Sequence, residues 1–238
     1  MTAADFDPLP PHPGAGRAFE QTLVAGLADA APSGRVRLDA LARWLQDAAL
    51  DDVVDAGLGG VALWVVRRSR IKVEAFPRFG DAATVRTWSS GTGRMWAQRR
   101  TTIVVGGRAL VEAVALWVHL DPGSGRPFPL TPAELDLYGA GREVKARLRH
   151  PAPPAGATSA PWTFRATELD IADHINNAAY WSPLEAELLA GPEPLSADVE
   201  IEHKTPAQPG DHHVLAAGDR RWIVDAASGA VRASFALG

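Results

Sequence analysis

Residues 170–180 read D-I-A-D-H-I-N-N-A-A-Y. Asp170, Asp173, His174, Asn176 and Asn177 crowd together there, and the chain then turns apolar. A carboxylate such as Asp170 can attack a carbonyl carbon or take a proton from water. His174 can orient either group or shuttle the proton. Asn176 or Asn177 makes a good N-cap for the helix expected next. A helix start offers free backbone N–H groups and a partial positive charge, which polarise a carbonyl oxygen placed against it. The pattern therefore suits attack on an activated carbonyl, with Asp170 and His174 catalytic and Asn176 and Asn177 holding the substrate. The same residues would also serve as a plain loop, with Asp170 and the asparagines capping and His174 satisfying a carbonyl.

Other chemistries find less support. There is no Cys, which excludes thiolate nucleophiles, disulfides and Cys-ligated metals. No G-x-S-x-G occurs. Gly91-Thr92-Gly93 lacks the rest of a phosphate loop and reads as a turn. His203, His212 and His213 show no ligand spacing, and adjacent His212 and His213 point to opposite faces of a strand. Neither a metal nor a cofactor is expected.

The elements that must position the 170–180 stretch come in two similar sets. Ala18 to Leu27 reads as a strand, and Leu38 to Ala56 as an amphipathic helix with Leu38, Leu41, Ala42, Leu45, Ala48, Ala49 and Val53 on one stripe. Four alternating or β-branched runs follow, with Gly106-Gly107 as a hairpin turn. Residues 122–160 form a Pro/Gly-rich linker with a short helix near Pro132 to Leu137. The order then repeats in residues 161–238: a strand from Trp162 to Glu168, a helix from Asn177 to Ala190 kinked at Pro183, and four strands with turns at Gly218-Asp219 and Ser228-Gly229. A helix start at Ser182, with Pro183 at its first position and Glu185 closing a capping box, is the alternative. Strand, helix and four antiparallel strands, given twice, is an α+β class pattern. Its economical solution is a tandem (double) hotdog, each half a curved antiparallel sheet wrapped round a central helix.

The chain of 238 residues is 46% hydrophobic and 22% charged, ordinary for a soluble globular protein. Its net charge of -4 gives no pull toward nucleic acid or anionic membrane. No apolar run approaches the roughly 18 residues of a membrane span. Residues 1–17 lack a signal-peptide pattern and are expected to be disordered, so a cytoplasmic location is the expectation. Arg67, Arg68, Arg70, Lys72, Arg99 and Arg100 read as a solvated sheet face, with docking of an acidic partner as the alternative.

The quoted stretch resembles the Asp-x-Asn-x-His-x-Asn-Asn-x-x-Tyr signature of acyl-acyl carrier protein thioesterases. W-L-Q-D-A-A, A-L-W-V-V-R-R-S-R-I, F-P-R-F-G-D, V-R-T-W-S-S-G and A-L-W-V-H-L-D resemble that family's N-terminal half in order and spacing. The resemblance implies a double hotdog that hydrolyses fatty acyl thioesters without a cofactor. Residues 18–121 would hold the acyl chain and residues 161–238 would carry the catalytic groups. The partner implied is acyl carrier protein, or CoA carrying the same thioester. Two positions depart from the pattern: the family Asn falls on Ala172, and a family Glu-Cys pair falls on Lys204-Thr205, which would then line the site. D-I-A-D is similar instead to the Asp-x-Ala-Gly form of hydroxybenzoyl-CoA thioesterases, in which the Asp is essential. Asp170 as nucleophile or general base is the reading that follows. A non-catalytic protein that binds acyl thioesters is the alternative. Hotdog dehydratases carry Asp-x-Asn-Pro-x-His, which is absent here. Exposed sheet edges leave a homodimer open.

Overall fold

The computed structural model describes residues 6–11, 14–59, 63–139 and 142–238. The first half comprises β1 (Ala18–Val24), α1 (Leu38–Asp55), β2 (Leu63–Val73), β3 (Ala82–Thr92), β4 (Trp96–Val105) and β5 (Arg108–Leu120). Next come α2 (Pro132–Tyr138) and the two-residue β6 (Arg142–Glu143). The second half comprises β7 (Thr158–Phe164), α3 (Ser182–Leu189), β8 (Ala197–His203), β9 (Gly210–Ala217), β10 (Arg220–Asp225) and β11 (Val231–Leu237).

Among the described residues the strands form one sheet in the order β1-β3-β4-β5-β2-β8-β11-β10-β9-β7, with β6 beside β3. Read outward from the centre, each half repeats the other. The seam is β2 against β8, antiparallel from Arg68 opposite Glu202 to Val73 opposite Ala197. Hydrogen-bonding the two half-sheets edge to edge satisfies two strands that would otherwise be open. This is the expected double hotdog, an α+β fold. Gly106 and Gly107 turn β4 into β5 with φ of 56° and 79°, the left-handed values that a two-residue hairpin of this hand requires.

α1 buries Leu38, Leu41, Trp44, Ala48 and Ala49 against the sheet. The core they join runs through both halves and includes Ile71, Val85, Ile103, Phe164, Trp181, Leu184, Ile201 and Phe235. Asp52 interrupts the apolar stripe and is buried, compensated by Arg17 at 2.6 Å and Arg99 at 2.6 Å. That pairing is what lets a carboxylate sit on the inner face of a helix.

Several local expectations are corrected. The strand expected over Trp162 to Glu168 is Thr158–Phe164, and Ala166–Glu168 is a 3-10 turn. Glu168 closes that turn by accepting the Arg165 amide at 2.6 Å. The α-helix of the second half does not begin at Asn177. Pro183 has no N–H to give to residue 179, so Ala179–Trp181 tightens into a 3-10 turn and α3 starts at Ser182 with Pro183 in its first turn. Glu185 is not spent on a capping box there; its partners lie across the core.

The outer face of the sheet is covered by segments expected to be loose. From the N-terminus, Arg70 donates to the Asp7 carbonyl at 2.7 Å and lies over Phe6, while Arg100 donates to the Pro10 carbonyl at 3.1 Å. In the linker, the Arg149 and His150 amides both donate to the buried Glu202 carboxylate, at 2.5 and 3.1 Å. Trp222 donates to the Pro151 carbonyl at 2.8 Å. Among the described residues no helix is long and apolar enough to cross a membrane.

Candidate active site

Asp170 opens a loop that closes on itself. Leu169 and Ile175 form an isolated bridge, the Asp170 amide donates to the His174 carbonyl at 2.9 Å, and the Asp173 amide donates to the Asp170 carbonyl at 3.0 Å. The Asp170 carboxylate accepts the Ala172 amide at 2.9 Å, and Asp173 takes φ of 59°. Asp tolerates that left-handed conformation better than most side chains. The loop is tied to the turn after β8: the Ile175 amide donates to the Ala207 carbonyl at 3.1 Å, and Gln208 donates to the Asp173 carbonyl at 2.8 Å. Asp170 is half-buried and His174 is exposed.

Neither Asn176 nor Asn177 is the N-cap of α3, which begins at Ser182; the Asn176 side chain accepts the Ala178 amide at 2.9 Å and fixes the turn ahead of it. The same oxygen accepts from Gln46 of α1 at 3.2 Å, which locks the loop to the first half. Asn177 and Ala178 then enter the wall of an apolar cavity of about 30 Å³ between α1 and strands β2, β4 and β5. Gln46, Leu45, Trp117 and His203 share that wall. At roughly 10–15 Å³ per water by this measure, the cavity as it stands has room for two or so waters, and anything larger must displace side chains to enter.

Asp170 and His174 are not among the residues of that wall; they stand in the loop that leads into it. Lys204 and Thr205 are not brought to it either. On β8 the residues Val199, Ile201 and His203 face inward, so Lys204 faces out, its Nζ 2.6 Å from Glu202 beneath the linker. Thr205 is exposed and accepts from Arg232 at 3.2 Å. Burial alone would raise the Glu202 carboxyl, but Lys204 and the two linker amides outweigh it and hold the group below its ordinary value.

The site also holds Tyr180, to which the sequence reading assigns no role, and His203, which it weighs only as a metal ligand. Tyr180 is buried, and its hydroxyl accepts the Ala207 amide at 2.7 Å. Burial, helped by the nearby Asp170 charge, pushes its phenol up to about 12 against the pull of that amide and Arg232. His203 packs edge-on to Tyr180 with ring centroids 5.0 Å apart. Burial, with Arg67 adding to it, pushes its imidazole down to about 3. The two-residue spacing of Val199, Ile201 and His203 was the available signal.

The first half contains the counterpart of the Asp170 loop. There Ala30 bridges Val36, the Ala31 amide donates to the Arg35 carbonyl at 2.8 Å, and the Gly34 amide donates to the Ala31 carbonyl at 2.8 Å. Gly34 takes φ of 89°, as Asp173 takes its positive value. Ala31 thus stands where Asp170 stands, and Arg35 where His174 stands. Arg35 is turned inward and pairs with Glu185 of α3 at 2.6 Å. Glu185 also accepts the Leu38 amide at 2.9 Å, so it occupies the N-terminus of α1. The helix start that could have received a carbonyl in this half is filled by an internal carboxylate.

Among the described residues His150, Glu200 and Glu202 are close enough to share an ion. Their charge is already balanced by Lys204 on Glu202 and Arg68 at 3.7 Å from Glu200. His150 Nδ1 is engaged by Ser234 at 3.0 Å. The donor set therefore suits the linker clamp better than a cation. His212 faces the Gly210 carbonyl and His213 is exposed.

Residues 16–138 match the model of the acyl-ACP thioesterase N-terminal domain. The chain belongs to the acyl-ACP thioesterase family. An uncharacterised protein of Mycobacterium tuberculosis is 25% identical over 183 residues, covering 74% of this chain and 73% of that one. A chloroplastic dodecanoyl-[acyl-carrier-protein] hydrolase of Cinnamomum camphora is 25% identical over 199 residues, covering 73% of this chain and 51% of its own length. The solved 12:0-ACP thioesterase of Umbellularia californica superposes with a TM-score of 0.74 at 18% identity, covering 92% of this chain and 96% of that one. Membership makes this acyl-ACP thioesterase a hydrolase of fatty acyl thioesters.

Proposed function

We propose that the chain cleaves fatty acyl thioesters of acyl carrier protein, with Asp170 as the group that attacks the carbonyl carbon or activates water. The observation that carries this reading is the closed 170–176 loop. It holds a half-buried carboxylate directly ahead of the turn whose residues Asn177 and Ala178 line the cavity. The acyl chain lies between α1 and strands β2, β4 and β5. Asn176 already takes the Ala178 amide, and the Asn177 amide in the turn ahead of α3 is the donor assigned to the thioester oxygen.

As general base, Asp170 takes a proton from water, the hydroxide oxygen bonds to the carbonyl carbon, the C–S bond breaks, and the proton returns to the departing thiolate. As nucleophile, the Asp170 carboxylate bonds to the carbonyl carbon and the C–S bond breaks to release the thiolate; water then opens the resulting anhydride, regenerating Asp170 and supplying the proton that the thiolate takes up. His174, exposed beside it, orients the thioester or relays the proton. Ala172 cannot supply the side-chain amide of the family pattern, and its amide instead fixes the Asp170 carboxylate. Lys204 serves the linker clamp.

Thiol release from panels of acyl-carrier and acyl-CoA thioesters tests this, with Asp170→Asn beside the wild type. Asn keeps the oxygen that accepts the Ala172 amide, so folding should survive while the rate falls by roughly 10²–10⁴. A single turnover in H₂¹⁸O separates the two roles, since only the nucleophile route passes label through the carboxylate. Undiminished release by Asp170→Asn would remove Asp170 from the chemistry. Saturable acyl-carrier binding with no release from any thioester would make the chain a binding protein.

A further inference from the structure

Several buried polar atoms among the described residues lack a hydrogen-bond partner, and two of them, Trp117 Nε1 and His203 Nδ1, belong to side chains of the cavity wall. His203 ends β8, is 7% exposed, and its Nδ1 is buried with no hydrogen-bond partner. No hydrogen bond reaches either ring nitrogen among the described residues. Its neighbours cannot supply one. Tyr180 presents a ring edge and has turned its hydroxyl to Ala207. Ala233 lies opposite on β11 and has no polar side chain. Arg67 is the bulged residue of β2, one position beyond the last pair of the β2–β8 ladder, and a guanidinium accepts nothing. A buried polar group without a partner is rare in folded proteins and calls for a reason.

The wall that His203 shares with Asn177 and Ala178 supplies one. We propose that His203 contacts the substrate, its imidazole N–H donating to the thioester carbonyl oxygen across from the Asn177 amide. The inference rests on the hydrolase reading above. It adds a second donor, from the end of a strand, to the Asn177 amide in the turn ahead of α3. Donors held in a dry site before the substrate arrives stabilise the developing oxyanion without reorganising. Burial first, and Arg67 second, keep the ring neutral across the working range. A neutral imidazole keeps one N–H to donate and has no proton to lose in the cycle, so it polarises a carbonyl as an amide would. The bulge at Arg67 sits beside this point, where such irregularities re-aim side chains next to active sites.

The test is His203→Leu and His203→Gln in the full chain, using whichever thioester the wild type cleaves. Leu should leave the melting temperature unchanged or raise it, because it removes an unsatisfied group. It should lower kcat by roughly 10²-fold, the usual loss for one oxyanion donor, with KM nearly unchanged. Gln keeps an N–H and should recover much of kcat. In the wild type, the His203 ¹⁵N resonances should shift on adding an acyl-pantetheine ketone analogue in which CH₂ replaces the thioester sulfur. A His203→Leu enzyme with wild-type kcat, a loss tracking only a lowered melting temperature, or resonances indifferent to the analogue would overturn the proposal while leaving the hydrolase reading intact. A wild type that cleaves no thioester would overturn both.

Discussion

Glu185 carries three hydrogen bonds across the core of the molecule, and removing it is the sharpest test of how the halves are joined. Arg35 and Glu185 are each 2% exposed. The carboxylate accepts from Arg35 at 2.6 and 3.3 Å and from the Leu38 amide at 2.9 Å. Glu185→Ala strands the Arg35 guanidinium in the interior, with only the partly exposed Glu193 at 3.4 Å to help. Breaking a buried pair in this way costs about 3–5 kcal/mol. For a chain of this size that lowers the melting temperature by roughly 6–20 °C. Arg35→Met should cost a comparable amount, because it leaves the carboxylate with one amide. The double variant Arg35→Met, Glu185→Ala buries no charge and should recover most of the loss, leaving about 1–3 kcal/mol for the uncapped Leu38 amide. Urea unfolding of all four proteins gives the cycle. If Glu185→Ala costs under about 1 kcal/mol, or the double variant is as unstable as the sum of the singles, the pair is not the beam described here.

Other outcomes follow from the same geometry. Gly34→Ala should cost roughly 1–2 kcal/mol from its left-handed φ alone, since the added Cβ would meet only Arg78 at an ordinary 3.6 Å; urea midpoints decide it. Tyr180→Phe should cost about 1–3 kcal/mol by orphaning the Ala207 amide, and should slacken the 170–175 loop enough to lower kcat in the thiol-release assay. The Glu202 carboxyl is depressed in the folded state, so its contribution is present above the ordinary Glu value and is lost as pH falls through the depressed one. Melting temperatures from pH 7 down to pH 3 should therefore fall less steeply in Glu202→Gln than in the wild type.

Much of this was legible in the sequence because it rests on period and turn chemistry. The stripe from Leu38 onward located α1, and Gly106-Gly107 located a hairpin. The D-I-A-D-H-I-N-N run located the loop before the second helix. What escaped depends on groups far apart in the chain. Arg35 meets Glu185 across 150 positions, and nothing local marks either as buried. The strand ends at Phe164 and not at Glu168 because the Glu168 carboxylate takes the Arg165 amide and closes a turn, a contact that the extended-looking sequence does not announce. Lys204 was placed by family spacing, whereas the parity of Val199 and Ile201 already sent it outward. The same parity sends His203 inward, where three histidines had been weighed only as metal ligands.

The matched loops at 31–35 and 170–174 have a consequence for inheritance. In a dimer of identical hotdogs every codon change is made twice, so both loops must keep whatever chemistry either needs. Placing the halves in one polypeptide frees them from that constraint. One loop retains an acid and an imidazole, while its twin has become Ala31 and an inward arginine that braces the other half. If Asp170 does the chemistry as proposed, each polypeptide offers one place for substrate rather than two, and a ligand built as a symmetric pair would gain nothing from its second arm.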